Sequence, residues 1–259
     1  TNGPGLVTYV TAGDPDLPRS ARILEALDRA GADILEVGVP FSDPLADGPV
    51  IQRATERALA AGSSLKASLA LIAEVRAVVS APIVLFSYAN PLLRMGLETF
   101  ARKAADSGVD GVLALDLPIE EAEEFHRVLT KMGLDTIFLL SPTTTDARIR
   151  KAAELGGGFL YGISRLGVTG ARDTVASGAE AFVRRIRAHT TMPIALGFGI
   201  STPQHVSEVC GYADAAVVGS ALVSLIAEAG DSPALVDRVA AYVRWLKADR
   251  VSSHDNFHA

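Results

Sequence analysis

One strand-to-loop transition organises this sequence, LEVGVPFSDPLADGP at residues 35–49. It begins as an apolar strand that carries a single carboxylate, Glu36, and continues into a proline-rich loop that holds a second acid, Asp47. A charged side chain that leaves water needs a partner or a shifted pKa. Glu36 therefore needs an explanation, and the rest of the sequence has to supply it.

Strands and helices alternate along the chain. Short apolar runs predict strands, and apolar residues at helical spacing predict the helices between them. The predicted strands are residues 6–10, 33–37, 82–86, 111–115, 135–139, 159–163, 194–196 and 215–218. The predicted helices are residues 17–30, 50–61, 65–79, 97–107, 119–131, 146–155, 179–189, 203–210, 221–229 and 233–247. Eight such units predict an α/β fold whose parallel strands close into a (β/α)8 TIM barrel.

A weak internal repeat supports this count. The sequences GAD at 31–33, GVD at 108–110 and YAD at 212–214 each end a helix and lead into an apolar strand. An open doubly wound sheet is the alternative, although no G-x-G-x-x-G sequence follows the first strand. We expect a single barrel domain over residues 1–250 and a polar tail over residues 251–259.

The amino-acid composition limits the partners that the chain is expected to bind and indicates its cellular compartment. The 259 residues include 24 Lys and Arg against 30 Asp and Glu, for a net charge of -6. Without a basic run, the chain is not expected to bind nucleic acid or an acidic membrane surface. The single cysteine, Cys210, excludes an internal disulfide, and no signal peptide or long apolar run is visible. These features predict a cytoplasmic protein.

The candidate site lies where the strands end, because parallel barrels place their active sites at the C-terminal face. Period-two alternation aims Glu36 into the barrel and turns Leu35 and Val37 towards the helices. The alternative is a structural acid hydrogen-bonded to its neighbours. A loop stiffened by prolines suits Asp47 to the same ligand, although Asp-Gly is also ordinary turn chemistry.

Two other strand-end side chains leave alternatives open. Asp116 follows the fourth strand, and we expect it to cap the helix after it rather than to serve the site. Tyr161 shares a strand face with Phe159 and Ile163, so it is either a core aromatic residue or a wall of the pocket.

Glycine-containing turns follow the last two strands. The sequence GFGIS at 197–201 and the pair Gly219-Ser220 each run into a helix. Backbone N–H groups at such turns can approach an anion, and a helix N-terminus favours negative charge. The pattern predicts a phosphorylated ligand, the alternative being two tight turns without a ligand.

Other catalytic groups are not placed at the predicted site. All five lysines fall in predicted helices, which disfavours an imine mechanism, and no His and Cys cluster has metal-ligand spacing. Acid–base chemistry by carboxylates remains, on a phosphorylated substrate that itself accepts the electrons. This chemistry needs no cofactor and no metal.

The motifs together resemble the tryptophan synthase alpha subunit family. They are LEVGVPFSDPLADGPVIQ at 35–52, TAGDP at 11–15, YAN at 88–90, SRLGVTG at 164–170, GFGI at 197–200 and VGS at 218–220. The resemblance implies a TIM-barrel lyase of tryptophan biosynthesis that cleaves indole-3-glycerol phosphate into indole and glyceraldehyde 3-phosphate. It also implies a heterotetramer with a beta subunit, which alone carries pyridoxal phosphate.

The resemblance also implies residue roles. Glu36 matches the general acid–base group, Asp47 the acid that accepts the indole N–H, and Tyr161 a tyrosine beside Glu36. The expected substrate-binding residues are Tyr9, Thr169, Gly170, Phe198, Gly199, Gly219 and Ser220. Of these, Gly170, Gly199, Gly219 and Ser220 match phosphate contacts, and Thr169 matches a residue that meets Asp47 when its loop closes.

Two departures from the family and two other functions stay open. Tyr9 stands where a phenylalanine is usual, and the family's extra N-terminal helix is expected to be absent or shortened. The chain is alternatively a stand-alone lyase that releases free indole, or an idle barrel that activates a beta partner.

Overall fold

Eight strands form the centre of the molecule. The structure, a computed structural model, describes residues 5–163, 178–197 and 199–252, with side chains up to residue 248. The strands are β1 (Gly5–Thr11), β2 (Ile34–Gly38), β3 (Ile83–Ser87), β4 (Gly111–Ala114), β5 (Asp135–Leu140), β6 (Leu160–Ile163), β7 (Ile194–Gly197) and β8 (Ala215–Val218). Each strand pairs in parallel with the next, and β8 pairs with β1. The closed barrel confirms the predicted TIM-barrel fold and excludes the open sheet.

Helices surround the barrel. They are α1 (Leu17–Arg29), α2 (Pro49–Ala60), α3 (Leu65–Val75), α4 (Ala89–Met95), α5 (Leu97–Asp106), α6 (Ala122–Lys131), α7 (Asp146–Leu155), α8 (Ala179–Arg187), α9 (Pro203–Cys210), α10 (Ser220–Ala229) and α11 (Leu235–Ser252), with a 3-10 turn at Ile119–Glu121. Helix α11 extends two residues into the predicted tail, and residues 253–259 lie outside the described part of the chain.

Helix α4 was not expected from the sequence. The Asn90-Pro91 pair is typical of a turn, which predicts a loop rather than a helix after β3. In the structure Pro91 occupies the first turn of α4, where a backbone N–H has no partner in the helix and its loss costs little. The proline therefore helps to start this helix rather than to prevent it.

The aspartate repeat joins the N-terminal ends of neighbouring strands. In each case the carboxylate that precedes one strand accepts the backbone N–H of a residue at the start of the preceding strand. The three bonds are Asp33 to Leu6 at 2.7 Å, Asp110 to Ile83 at 2.7 Å and Asp214 to Ile194 at 2.8 Å. Basic side chains, Lys247, Arg76 and Arg187 in the same order, pair with these carboxylates. The repeat therefore serves the architecture at the end of the barrel opposite to the strand C-termini.

The apolar core has two layers. One large cluster lies between the barrel and the helices, and a smaller one fills the barrel interior. The smaller cluster consists of Val7, Val84, Leu113, Ile137, Phe159, Ala195, Ala215 and Val217. Inward-facing residues nearer the strand C-termini, including Tyr9, Glu36, Phe86 and Tyr161, line a cavity instead.

Among the residues the structure describes, no single helix is long and apolar enough to cross a membrane. Only together do helices α2 and α3 have the length and apolar composition of a membrane span, and they bend by 89° at the break between them.

Candidate active site

Strand β2 buries Glu36 in the barrel. Glu36 lies beside Tyr9 of β1 and Val84 of β3, while Leu35 and Val37 pack in the layer between barrel and helices. The Glu36 side chain is 1% exposed, and its Oε1 finds no hydrogen-bond partner within the described residues. The predicted inward orientation is confirmed, and an unpartnered oxygen argues against a purely structural acid, which would be hydrogen-bonded.

Burial changes the proton affinity of Glu36. Loss of hydration raises the pKa of its carboxyl group from the ordinary 4.5 to about 8. At neutral pH the group therefore holds its proton, yet it can release that proton when a substrate changes its surroundings. A pKa this close to the working pH suits a group that donates and then accepts a proton.

A cavity of about 430 Å³ opens above Glu36 at the C-terminal ends of the strands. Its size is within the range of small-molecule sites. Seven of the ten predicted site residues line it: Tyr9, Glu36, Asp47, Tyr161, Gly199, Gly219 and Ser220. The other three, Thr169, Gly170 and Phe198, lie outside the described residues.

Asp47 reaches the cavity from the loop between β2 and α2. The side chain is partly buried, and this burial raises the pKa of its carboxyl group. The Tyr88 hydroxyl group donates a hydrogen bond to its Oδ2 at 3.0 Å, which opposes that rise. The Gln52 side-chain amide donates a hydrogen bond to the Asp47 carbonyl at 2.9 Å, which links the loop to α2.

Sequence reasoning did not identify Tyr88 as a candidate site residue. It follows β3, the strand next to β2, and the signals available were that position after a strand and the YAN motif at 88–90. Because the side chain is 5% exposed, its hydroxyl group requires partners, and both of them lie in the Asp47 loop.

Tyr161 forms a wall of the cavity. Its ring contacts Phe159 at a centroid distance of 6.5 Å, and a Cβ atom at Gly197 would lie only 2.8 Å from the Tyr161 hydroxyl oxygen. Burial and the nearby Glu36 charge raise the pKa of its hydroxyl group well above 10. Tyr161 therefore stays protonated beside Glu36, and the pocket-wall alternative is the correct one.

The Tyr9 ring lies over Gly38. A Cβ atom at Gly38 would collide with the Tyr9 hydroxyl oxygen, so only glycine leaves room for this tyrosine. The hydroxyl groups of Tyr9 and Thr11 are 3.5 Å apart, and the ring meets the Phe86 ring edge to face at 5.4 Å. Burial and the charges of Asp47 and Glu36 raise the Tyr9 pKa, so its hydroxyl group remains a donor.

The glycine turns follow β7 and β8, and they line the same cavity as Asp47. Gly199 has a φ of +74°, a conformation that side chains strongly disfavour. Gly219 immediately precedes α10, and Ser220 is the first residue of that helix. The Tyr242 hydroxyl group donates to the Ser201 carbonyl at 2.8 Å and so anchors the first turn. The two turns offer backbone N–H groups and a helix N-terminus to an anion.

Asp116 does not cap the helix that follows it, which corrects the expectation from sequence. Its Oδ1 accepts the backbone N–H of Ala89 at 2.7 Å, at the start of α4. Parallel neighbouring strands end at the same face, so a carboxylate after β4 can reach the helix that follows β3. Asp116 thus joins two neighbouring loops at the rim of the barrel.

A larger cavity, of about 700 Å³, opens at the other end of the barrel. Four aspartates line it, and three of them, Asp33, Asp110 and Asp214, bind the N–H groups of strand residues. These bonds give three of the four carboxylates a structural role. The cavity above Glu36 combines an unpartnered buried acid with two glycine turns, and it is the candidate active site.

Comparisons with known proteins identify similar chains over almost the whole length of this one. The family model described as tryptophan synthase alpha chain matches residues 1–250. A tryptophan synthase alpha chain of Geotalea uraniireducens is 50% identical over 248 residues, covering 95% of this chain and 92% of the relative. One of Solibacter usitatus is 46% identical over 246 residues, with the same two shares of 95% and 92%.

Solved structures are similar as well. The crystal structure of the tryptophan synthase alpha subunit from Legionella pneumophila matches with a TM-score of 0.89 and 35% identity, over 96% of this chain and 93% of the other. A chain from the tryptophan synthase a2b2 complex of Pyrococcus furiosus matches with a TM-score of 0.89 and 39% identity, over 94% of this chain and 98% of the other.

Proposed function

Because the chain belongs to the tryptophan synthase alpha chain family, we propose that its cavity cleaves indole-3-glycerol phosphate into indole and glyceraldehyde 3-phosphate. The observation that carries the proposal is Glu36, a buried and unpartnered acid with a pKa of about 8. It shares its cavity with Asp47 and with two turns suited to a phosphate group. The reaction is that of a carbon–carbon lyase.

Glu36 acts first as an acid and then as a base. In its protonated form it gives its proton to C3 of the indole ring, which places a positive charge on the ring. The resulting carboxylate takes the proton of the side-chain hydroxyl group on the carbon attached to C3. The C–C bond breaks, its electron pair neutralises the ring, and the oxygen becomes the aldehyde of glyceraldehyde 3-phosphate. Glu36 ends the cycle protonated, as it began.

Asp47 stabilises the intermediate. Its carboxylate accepts a hydrogen bond from the indole N–H, where the positive charge develops after C3 is protonated. An interaction that strengthens as the charge forms lowers the barrier rather than only tightening substrate binding. Tyr161 and Tyr9 enclose Glu36 and help to keep water from it, which maintains the raised pKa of the acid.

The phosphate group binds on the glycine turns. Gly199, Gly219 and Ser220 present backbone N–H groups and the N-terminus of α10 to the anion. Thr169, Gly170 and Phe198 lie outside the described residues, and their roles are proposed from the resemblance alone. Gly170 completes the phosphate site, Phe198 contacts the substrate, and Thr169 meets Asp47 when its loop closes over the cavity.

The chain functions as the alpha subunit of an assembly with a beta subunit. The Pyrococcus furiosus relative is described as part of an a2b2 complex, which supports the same heterotetramer here. The cleavage uses side chains of this chain and no cofactor, and pyridoxal phosphate belongs to the beta subunit. We also propose a barrel domain over residues 1–250, a tail over residues 251–259, and a cytoplasmic location.

An indole-release assay tests the proposal. The purified chain is given indole-3-glycerol phosphate with and without a beta subunit, and both indole and glyceraldehyde 3-phosphate are measured. We expect equimolar products, faster turnover with the beta subunit, and loss of activity in Glu36→Gln. Full activity without any response to the beta subunit would favour a stand-alone lyase. Absence of both products under either condition would favour the idle barrel.

A further inference from the structure

The Asp47 loop is held at its tip by Tyr88. The Tyr88 hydroxyl oxygen accepts the Ala46 backbone N–H at 3.0 Å and donates its own proton to Asp47 Oδ2, also at 3.0 Å. One hydroxyl group thus fixes two consecutive residues of the loop. Within the described residues, the other carboxylate oxygen of Asp47, Oδ1, accepts no hydrogen bond.

Tyr88 is itself held rigidly. Its side chain is 5% exposed, and its ring packs against the Phe41 ring at a centroid distance of 5.2 Å. Its backbone precedes α4, whose first N–H, that of Ala89, binds Asp116 at 2.7 Å. A series of contacts therefore connects three loops. Asp116, after β4, binds Ala89, after β3, and the neighbouring Tyr88 binds Asp47, after β2.

We propose that Tyr88 is a positioning residue whose hydroxyl group occupies Asp47 Oδ2 and so directs Oδ1 towards the indole N–H of the substrate. The inference rests on the proposed function, since it assigns a support to the acid that the reaction needs. Without this bond, the Asp47 carboxylate would rotate about its side-chain bonds. Only some of its rotamers would then accept a hydrogen bond from the indole N–H. Fixing one oxygen removes this freedom before the substrate binds.

The position of Tyr88 gives it this role without substrate contact. Among the residues that the structure describes, Asp47 lines the cavity and Tyr88 does not, and the hydroxyl group of Tyr88 bonds only to the Asp47 loop. Its effect must therefore pass through Asp47, and a double-mutant cycle can detect that dependence.

The experiment measures cleavage of indole-3-glycerol phosphate by wild type, Tyr88→Phe, Asp47→Ala and the double variant. Loss of a hydrogen bond to a charged group predicts a roughly 10-fold lower kcat/KM for Tyr88→Phe, mainly through kcat. In the Asp47→Ala background the same change should alter kcat/KM by less than about twofold. Tyr212→Phe is the matched control, because the buried Tyr212 hydroxyl group has no partner within the described residues.

The outcomes separate this proposal from the proposed function. Equal losses for Tyr88→Phe in both backgrounds, or no loss while Asp47→Ala is impaired, would overturn the positioning role and leave the lyase function intact. A wild-type chain that releases no indole overturns both. If Tyr88→Phe does not fold, Asp116→Ala replaces it in the cycle, since it loosens the start of α4. Its smaller loss, roughly threefold, should likewise disappear when Asp47 is absent.

Discussion

Replacing Glu36 by glutamine should abolish cleavage and at the same time stabilise the protein. Burial holds the folded-state pKa at about 8, against 4.5 for an exposed carboxyl group. Between these two pH values the unfolded chain has released the Glu36 proton and the folded chain has kept it. The wild type therefore loses stability as the pH rises through this window, and Glu36→Gln, with no proton to lose, does not.

The magnitude follows from the width of the window. Each pH unit between the two pKa values costs the wild type about 1.4 kcal/mol relative to the variant. The two proteins should have similar stability near pH 4.5, and the variant should be more stable by roughly 3 kcal/mol at pH 7. The difference should stop growing above pH 8. A change of this size is a large fraction of the 5–15 kcal/mol that holds an ordinary domain together.

Urea unfolding of both proteins at pH 5, 7 and 8.5 checks the prediction, together with indole release at the same pH values. Glu74→Gln, at an exposed glutamate of α3, is the control and should show the same stability difference from wild type at every pH. Other titrating groups are common to wild type and variant, so their contributions cancel. A Glu36→Gln variant whose stability advantage does not change with pH would refute the buried, protonated acid.

Three other changes test the remaining parts of the site and its support. Asp47→Asn should keep the fold and lower kcat by less than Glu36→Gln does, as measured by indole release and circular dichroism. Ser220→Asp should raise KM at least roughly 10-fold, because a carboxylate at the N-terminus of α10 competes with the phosphate group of the substrate for the same site. The new carboxylate interacts favourably with the helix dipole, so the helix itself should stay stable. An unchanged KM would place the phosphate group elsewhere. Arg57→Met should lower the free energy of unfolding at pH 7, measured with urea, by about 2 kcal/mol. The reason is that the Asp14 side chain, which is 1% exposed, loses two hydrogen bonds of 2.8 Å. A smaller loss at acid pH would confirm that the ionised carboxylate is the cause.

Local patterns were sufficient to predict most of the architecture. The alternation of short apolar runs with amphipathic stretches predicted all eight strands, and the aspartate repeat marked three of their starts. The exception, α4, shows the limit of this reasoning. Asn90-Pro91 is a turn signal in most contexts, and it starts a helix here because Asp116, far along the chain, binds the first N–H group.

The sequence by itself determined the barrel and the positions of Glu36, Asp47 and the glycine turns, because periodicity and strand order decide which residues reach the C-terminal face. Only the tertiary structure decided how those residues are tuned and supported. The raised pKa of Glu36 depends on side chains from other strands that exclude water, and Tyr88 meets Asp47 across 41 positions of the chain. Such contacts arise when the strands close into a ring, and no local pattern in the sequence specifies them.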